Sequence, residues 1–278
     1  MSRYAISKRI EQLDPVKDHQ EIVFLVGAFE FPFITQRSLE LALFRTFAVP
    51  SISVLLDQSG SFQKAGQKRY DDTALLIAEI AEHGYDSERG CAAIRRMNQI
   101  HRHFAISNDD YLYVLSTFIF EPIRWNRLLA WRPSTRTERL ANYYFWVEIG
   151  RRMNIKDIPE TYEAFEAFNE EYEKNHFEYT NSNHKIAEYS IVTFLSWFPK
   201  PLRPLLRYSI YALMDDPLRT ALGYSKQPRL FIWLVKKALR LRANVIRLMS
   251  PRKKPFLYTK MANRTYPNGY EIEDIGSA

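Results

Sequence analysis

The stretch Ser87-Glu88-Arg89-Gly90-Cys91-Ala92-Ala93-Ile94-Arg95-Arg96-Met97-Asn98-Gln99-Ile100-His101-Arg102-His103-Phe104 reads as a capped amphipathic helix. Ser87 offers a side-chain oxygen to the free N–H groups of the first turn. Ile94, Met97, His101 and Phe104 then recur at spacings of three, four and three, which puts them on one face of a 3.6-residue period. Arg95, Arg96 and Arg102 fall largely on the other sides. His101 is therefore expected to point inward. His103, two positions later, faces elsewhere, so the two histidines are not expected to share one metal ion.

The same punctuation continues outward from this helix. Upstream, Asp71-Asp72 reads as a helix start, and Leu75, Leu76, Ile80 and Ala81 follow before Gly84 ends the run. Downstream, Ser107-Asn108-Asp109-Asp110 opens a helix whose Tyr111 to Phe120 portion is apolar almost all round, the mark of a core element. Thr135 and Glu138 form a capping box before Tyr143-Tyr144-Phe145-Trp146. Pro159 reads as the start of a helix carrying Tyr162, Phe165 and Phe168, and Thr180 or Asn181 as the start of another ending near Pro199. Residues 1–35 show no clear period, although 21–26 could begin a buried helix. The chain has only 9 glycines and a single Asn-Gly pair, at Asn268-Gly269, so hairpin-rich β architecture is disfavoured. The expectation is an all-α, single multi-helix domain over residues 1–278, without linker or repeat.

Composition bounds the function classes. Apolar residues make up 46% and charged residues 26% of the 278, an ordinary globular balance able to bury a core. The lone cysteine, Cys91, excludes an intramolecular disulfide and a cysteine zinc site, as suits a reducing, cytoplasmic setting. The N-terminus lacks the apolar run of a signal peptide, and no stretch approaches the ~18 uncharged apolar residues of a membrane span.

The net charge of +7 is unevenly distributed. Pro217 to Tyr270 holds 13 Lys or Arg and no Asp or Glu, so +13 there against +7 overall leaves −6 on the remainder. Within it, residues 228–249 read as a cationic amphipathic helix with Leu230, Leu234, Ala238, Leu241, Val245 and Leu248 on one stripe. Arg229, Lys236, Arg240 and Arg247 lie opposite. One reading is a core helix with a solvated basic face. The other is an anionic membrane surface as partner for residues 228–254. Nucleic acid ranks below lipid because aromatic interleaving is poor. Past Pro255 the chain reads as loosely structured.

An inward histidine on an apolar face can be a hydrogen-bonded core residue, a catalytic base or an axial ligand to haem iron. Ile94, Met97 and Phe104 could wall an apolar cavity around it. Arg69-Tyr70-Asp71-Asp72-Thr73 is either a helix cap with a surface salt bridge or, if it faces a haem, a group in which Arg69 reaches a propionate or bound oxygen and Thr73 hydrogen-bonds there. Glu173-x-x-His176 has half the spacing of a di-iron site, but its second half is missing. A Cys91 thiolate ligand would require its face to turn toward the iron.

Taken together, Arg69-x-x-x-Thr73, the Gly84 turn, Arg96-Met97-Asn98-x-x-His101 and Asn108-Asp109-Asp110 resemble the MpaB-like oxygenases, which include the latex clearing proteins. Phe44-Arg45-Thr46-Phe47-Ala48-Val49-Pro50 and the segment from Asp215-Asp216-Pro217-Leu218-Arg219 to Leu222-Gly223 extend the likeness over about 40–225. The resemblance implies an all-helical fold enclosing haem b, with His101 as proximal iron ligand; Met97, on the same helix face, would then wall the cofactor. Arg69 and Thr73 would then lie on the distal side, where dioxygen or peroxide meets an apolar, isoprenoid or lipid-like substrate. Asp72 stands where latex clearing proteins carry a lysine, so rubber cleavage itself does not transfer. A haem-binding or sensing protein without turnover, and a membrane-peripheral interaction protein, are the rival readings.

Overall fold

The computed structural model describes residues 2–276, and among them there are helices and no strand. α1 (Ala5–Ile10) and α2 (His19–Leu25) lead through one π-helical turn (Val26–Glu30) into α3 (Pro32–Phe47) and α4 (Pro50–Ser59). The hairpin of α5 (Ser61–His83) and α6 (Glu88–His101) follows. After it come α7 (Asn108–Leu129), α8 (Arg136–Arg152), α9 (Tyr162–His176) and α10 (Asn181–Ser196). α11 (Arg203–Leu213), α12 (Asp216–Ala221) and α13 (Arg229–Leu248) complete the set.

α7 is central because its sequence allows no solvated face. Tyr113, Ser116, Thr117, Ile119 and Phe120 are almost wholly buried, and α3 packs along it. Fully burying one such Ile or Phe contributes roughly 1.5–3 kcal/mol. One apolar cluster gathers α5 to α9 around Ile80, Ile94, Ile119, Phe145 and Phe165. A second gathers α3, α10 and α12 around Phe44, Ile186, Ile191 and Leu218.

The helix starts follow the side-chain oxygens. Ser87, Ser107, Thr135 and Thr180 each accept a backbone N–H of their helix's first turn, and Thr135 with Glu138 closes the expected capping box. Two starts differ from expectation. Pro159 precedes its helix, which begins at Tyr162 because Thr161 caps it. Asp71 and Asp72 do not open a helix at all: α5 begins at Ser61, breaks at Ala65 (φ −145°, ψ 45°), and carries both aspartates in its interior.

Those carboxylates serve a distant segment instead. Residues 256–276 form a strap along α5, with short 3-10 turns at Tyr258–Lys260 and Ile272–Asp274, where a loose tail was expected. Asp71 accepts from the Thr265 hydroxyl at 2.5 Å, Asp72 from the Tyr266 hydroxyl at 2.6 Å, Glu79 from the Tyr270 hydroxyl at 2.5 Å and Glu82 from the Thr259 hydroxyl at 2.6 Å. Buried acids that receive hydroxyl donors are stable mid-helix, which is why the capping inference failed.

Two family-like segments meet at a buried ion cluster. Arg45 of α3 donates to Glu173 of α9 at 2.7 Å and to Asp215 at 2.7 Å, with Glu121 of α7 at 3.7 Å. Tyr113 also donates to Glu173, at 3.3 Å. Arg45 is only 5% exposed, and its guanidinium fork links four parts of the chain, with solvent reaching the cluster only from the Asp215 side.

α13 overturns the reading of a core helix with a solvated basic face. Its packed side carries Val235, Leu239, Ala243 and Ile246, whereas the stripe of Leu230, Leu234, Leu241, Val245 and Leu248 faces outward, 50–88% exposed. No single described helix is long and apolar enough to cross a membrane, although the pair His19–Glu30 and Pro32–Phe47, bent by 107°, passes by length and composition.

Candidate functional site

The α5–α6 hairpin sets the height of the two expected site groups. Gly84 adopts φ +82°, which favours glycine, and ends α5. Gly90 lets α6 start against that turn, since a Cβ there would sit 1.9 Å from the Gly84 carbonyl oxygen. Arg69 lies fifteen residues before Gly84 and His101 fourteen after Ser87. At 1.5 Å per residue both stand about 21–22 Å from the turn. Antiparallel arms of matched length bring them level.

His101 occupies the last position of α6, partly buried, with the Tyr111 ring edge-on at a centroid distance of 5.7 Å. Its Nδ1 is buried and has no hydrogen-bond partner among the described residues. Burial, and secondarily the positive charge of Arg69, push its pKa down to about 4, so the imidazole is neutral near pH 7. Such a ring can donate a lone pair to a metal.

Arg69 is equally unusual. Its guanidinium forms no ion pair among the described residues. Its one side-chain hydrogen bond is a long one to the Thr73 hydroxyl, at 3.4 Å, and it lies 5.7 Å from the Phe62 ring centre. Burial lowers its pKa, with Asp72 opposing weakly from a distance. Arg69 is partly buried, and desolvating a cation without a contacting carboxylate is costly unless something else meets it. Thr73, one turn on, donates to the Arg69 carbonyl at 3.0 Å.

Asp72 does not project as a free anion. Lys68 holds it at 2.9 Å, and Tyr266 of the strap donates to it at 2.6 Å. The lysine one turn earlier thus offsets the charge that the expected exchange of lysine for aspartate would have introduced. Met97 is partly buried against the main apolar cluster, one turn before His101. Phe104, expected as a wall, lies beyond the end of α6 and is 37% exposed.

Thr73 also borders an apolar cavity of about 130 Å³ between α2, α3 and α5, walled by Val23, Leu39, Leu43, Ala74, Ile77 and Phe256. Its polar margin is the Tyr70 hydroxyl donating to Glu40 at 2.6 Å, in surroundings where burial raises the Glu40 pKa. The sequence offered little sign of this cavity, because its walls come from elements far apart in the chain. Small and partly buried residues on α5 at 73, 74, 77, 78 and 81 were the only local trace.

The other metal readings have no support in the geometry. Glu173 is bound to Arg45, and His176 stacks on Tyr172 with Nδ1 at 2.9 Å from the Tyr172 carbonyl. The Cys91 thiol donates to the Tyr85 carbonyl near the start of α6, ten residues and about 15 Å along the helix from His101. No group of three or more His, Cys, Asp or Glu suited to a metal occurs among the described residues.

The family described as "ER-bound oxygenase mpaB/B'/Rubber oxygenase, catalytic domain" matches residues 35–248. The chain belongs to this family. The protein is 31% identical over 245 residues to ER-bound oxygenase mpaB' of Penicillium brevicompactum, an alignment spanning 81% of this chain and 58% of that relative. It is 31% identical over 214 residues to ER-bound oxygenase mpaB of Penicillium roqueforti, 70% of this chain and 72% of the other. An mpaB of P. brevicompactum is 35% identical over a shorter 136 residues, 47% of this chain and 35% of that relative. The chain therefore spans little more than half the length of mpaB'. The matched region holds the α5–α6 hairpin, both partners of the Arg45–Asp215 contact and all of α13, but not the strap.

Proposed function

We propose that this family member is a haem b-dependent oxygenase in which His101 binds the iron and Arg69 with Thr73 borders the oxygen side. The observation that carries the proposal is the pairing of a neutral, partly buried imidazole bearing an unpartnered ring nitrogen with a partly buried guanidinium that no carboxylate contacts. These two groups fit haem b, which combines an iron that takes a neutral imidazole with acidic propionates that take an arginine.

When bound, the haem supplies the iron that engages dioxygen or peroxide. The chain's own residues would do the remaining work. Tyr111 restricts the His101 ring by edge contact, and Met97 supplies a polarisable wall one turn away. The Arg69 fork would hold a propionate or an oxygen-borne negative charge, with the Thr73 hydroxyl beside it. The apolar cavity next to Thr73, open on one side, suits an isoprenoid or lipid-like substrate.

Access to such substrates fits the outward stripe of α13, which would let the protein rest on an anionic membrane from the cytoplasmic side. The relatives are named as ER-bound. A non-catalytic haem sensor gains little from Asp72, whose charge Lys68 already offsets.

An absorbance spectrum of recombinant protein beside His101→Ala tests the central assignment. A Soret band lost or shifted in the variant is expected. A colourless wild type, or a variant with unchanged haem content and ligation, overturns it. Oxygen uptake with an apolar alkene then separates turnover from haem binding alone.

A further inference from the structure

A second cavity, of about 310 Å³, lies between the start of α3, the end of α7 and the last turns of α13. Three arginines from separate parts of the chain line it: Arg3, Arg242 and Arg252. None of their side chains makes a hydrogen bond or an ion pair with another described residue, and the Arg3 Nε is buried without a partner. Each lies against an aromatic ring, Arg252 more loosely, 5.8 Å from the Phe256 ring centre. Arg3 sits 4.1 Å above Trp131, and Arg242 sits 3.8 Å from the Phe33 ring centre.

The charges press on one another. Arg3 and Arg242 are both held below the usual arginine range, by burial first; at Arg3 the attraction of Glu30 opposes this while Arg132 and Arg252 add repulsion, and at Arg242 Arg252 adds it. The carboxylate in the lining, Glu30, accepts through one oxygen, Oε2, from Arg132 at 2.8 Å and from Ser7 at 3.2 Å, its Oε1 is buried without a partner, and burial raises its pKa. Each guanidinium has five N–H donors in a planar fork, the geometry that matches phosphate oxygens. Three converging forks without protein acceptors make a site built for an oxyanion.

The lip of the cavity is apolar. Met249 belongs to the lining and is 54% exposed, and beside it stand Leu248 and, one turn back, Val245 on the outward stripe of α13. We propose that this cavity binds the phosphate group of an anionic amphiphile, with the arginines on the phosphate and the apolar remainder leaving across Met249. The assignment is independent of the haem reading. It differs from general membrane attraction in naming the cavity arginines rather than the exposed lysines of α13.

The test uses the full chain with two ligand sources. Sedimentation with phosphatidylcholine vesicles, with and without phosphatidic acid, reads the lipid source. Calorimetric titration with glycerol 3-phosphate and inorganic phosphate reads the soluble source. Arg242→Gln/Arg252→Gln is expected to weaken binding by about tenfold or more, as loss of bidentate phosphate contacts should. Lys236→Gln/Lys237→Gln, outside the cavity, is expected to weaken vesicle binding by no more than about threefold, since it removes only surface charge. Arg252→Gln alone, at an exposed position, keeps the comparison available if the double change impairs folding. Vesicle binding that depends on the cavity pair, with no soluble phosphate bound, assigns a membrane phospholipid. Saturable soluble binding that depends on the same pair assigns a free phosphoester. The proposal is overturned if the cavity variant binds like wild type in both arms, or if the lysine variant loses as much as the arginine variant.

Discussion

Replacing His101 by glutamine should abolish a specific pH dependence of stability in protein prepared without haem. The histidine's pKa falls from 6.5 to about 4 on folding, chiefly through burial and secondly through Arg69. Above pH 6.5 neither the folded nor the unfolded histidine is charged, so it contributes no pH dependence. As pH falls through 6.5 the unfolded chain takes up the proton while the folded one does not, and stability drops until pH 4, where the folded ring also titrates. A fall of that size corresponds to about 3 kcal/mol across the window. Urea unfolding of wild type and His101→Gln at pH 7 and pH 4.5 measures it, because carboxylates common to both proteins cancel in the difference. Wild type should lose on the order of 2–3 kcal/mol more than the variant. Arg69→Gln should shrink the gap by removing the second cause. If wild type and His101→Gln lose stability in parallel, the imidazole is not held neutral by its surroundings, and its assignment as a ready metal ligand fails.

Other perturbations test the remaining elements of the structure. Arg45→Leu leaves Glu121, Glu173 and Asp215 with only Arg124, 3.5–3.6 Å from Glu121 and Glu173, to offset them, and should destabilise the fold by roughly 3 kcal/mol in denaturant unfolding. Partial recovery at acid pH, where the carboxylates neutralise, is expected for that variant, and its absence would contradict the ion-cluster account. Tyr266→Phe removes one donor from Asp72 and should cost about 1–2 kcal/mol, with faster proteolysis of residues 256–276. Leu234→Asp/Leu241→Asp changes two outward side chains and should leave the thermal midpoint within about 2 °C while lowering vesicle binding. A large loss of stability instead would mean that the stripe is covered in solution.

Much of the fold was legible because its signals are local. Ser87, Ser107, Thr135 and Thr180 announce their helices through one side-chain oxygen each, and the unbroken apolar run after Tyr111 has no stable place except the core. The failures came where a local pattern was satisfied from far away. Asp71 and Asp72 resemble a cap, yet beside their neighbours Gln67 and Lys68 they accept from Thr265 and Tyr266, nearly two hundred positions later. The period of α13 reveals that it has an apolar stripe but not which side the domain covers. Val235, Leu239, Ala243 and Ile246 were enough to bury the other face.

His101 shows the same division. The sequence by itself determined that a histidine shares a helix face with Ile94 and Met97, and that a glycine turn separates that helix from Arg69 and Thr73. Spacing along a helix depends only on covalent geometry and the backbone hydrogen-bond repeat. Only the tertiary structure decided that the ring is desolvated enough to remain neutral, that Arg69 lacks a contacting carboxylate, and that Asp72 is held by Lys68 and Tyr266. Burial and charge compensation arise from residues distant in sequence that folding brings within a few ångströms, so no local pattern encodes them.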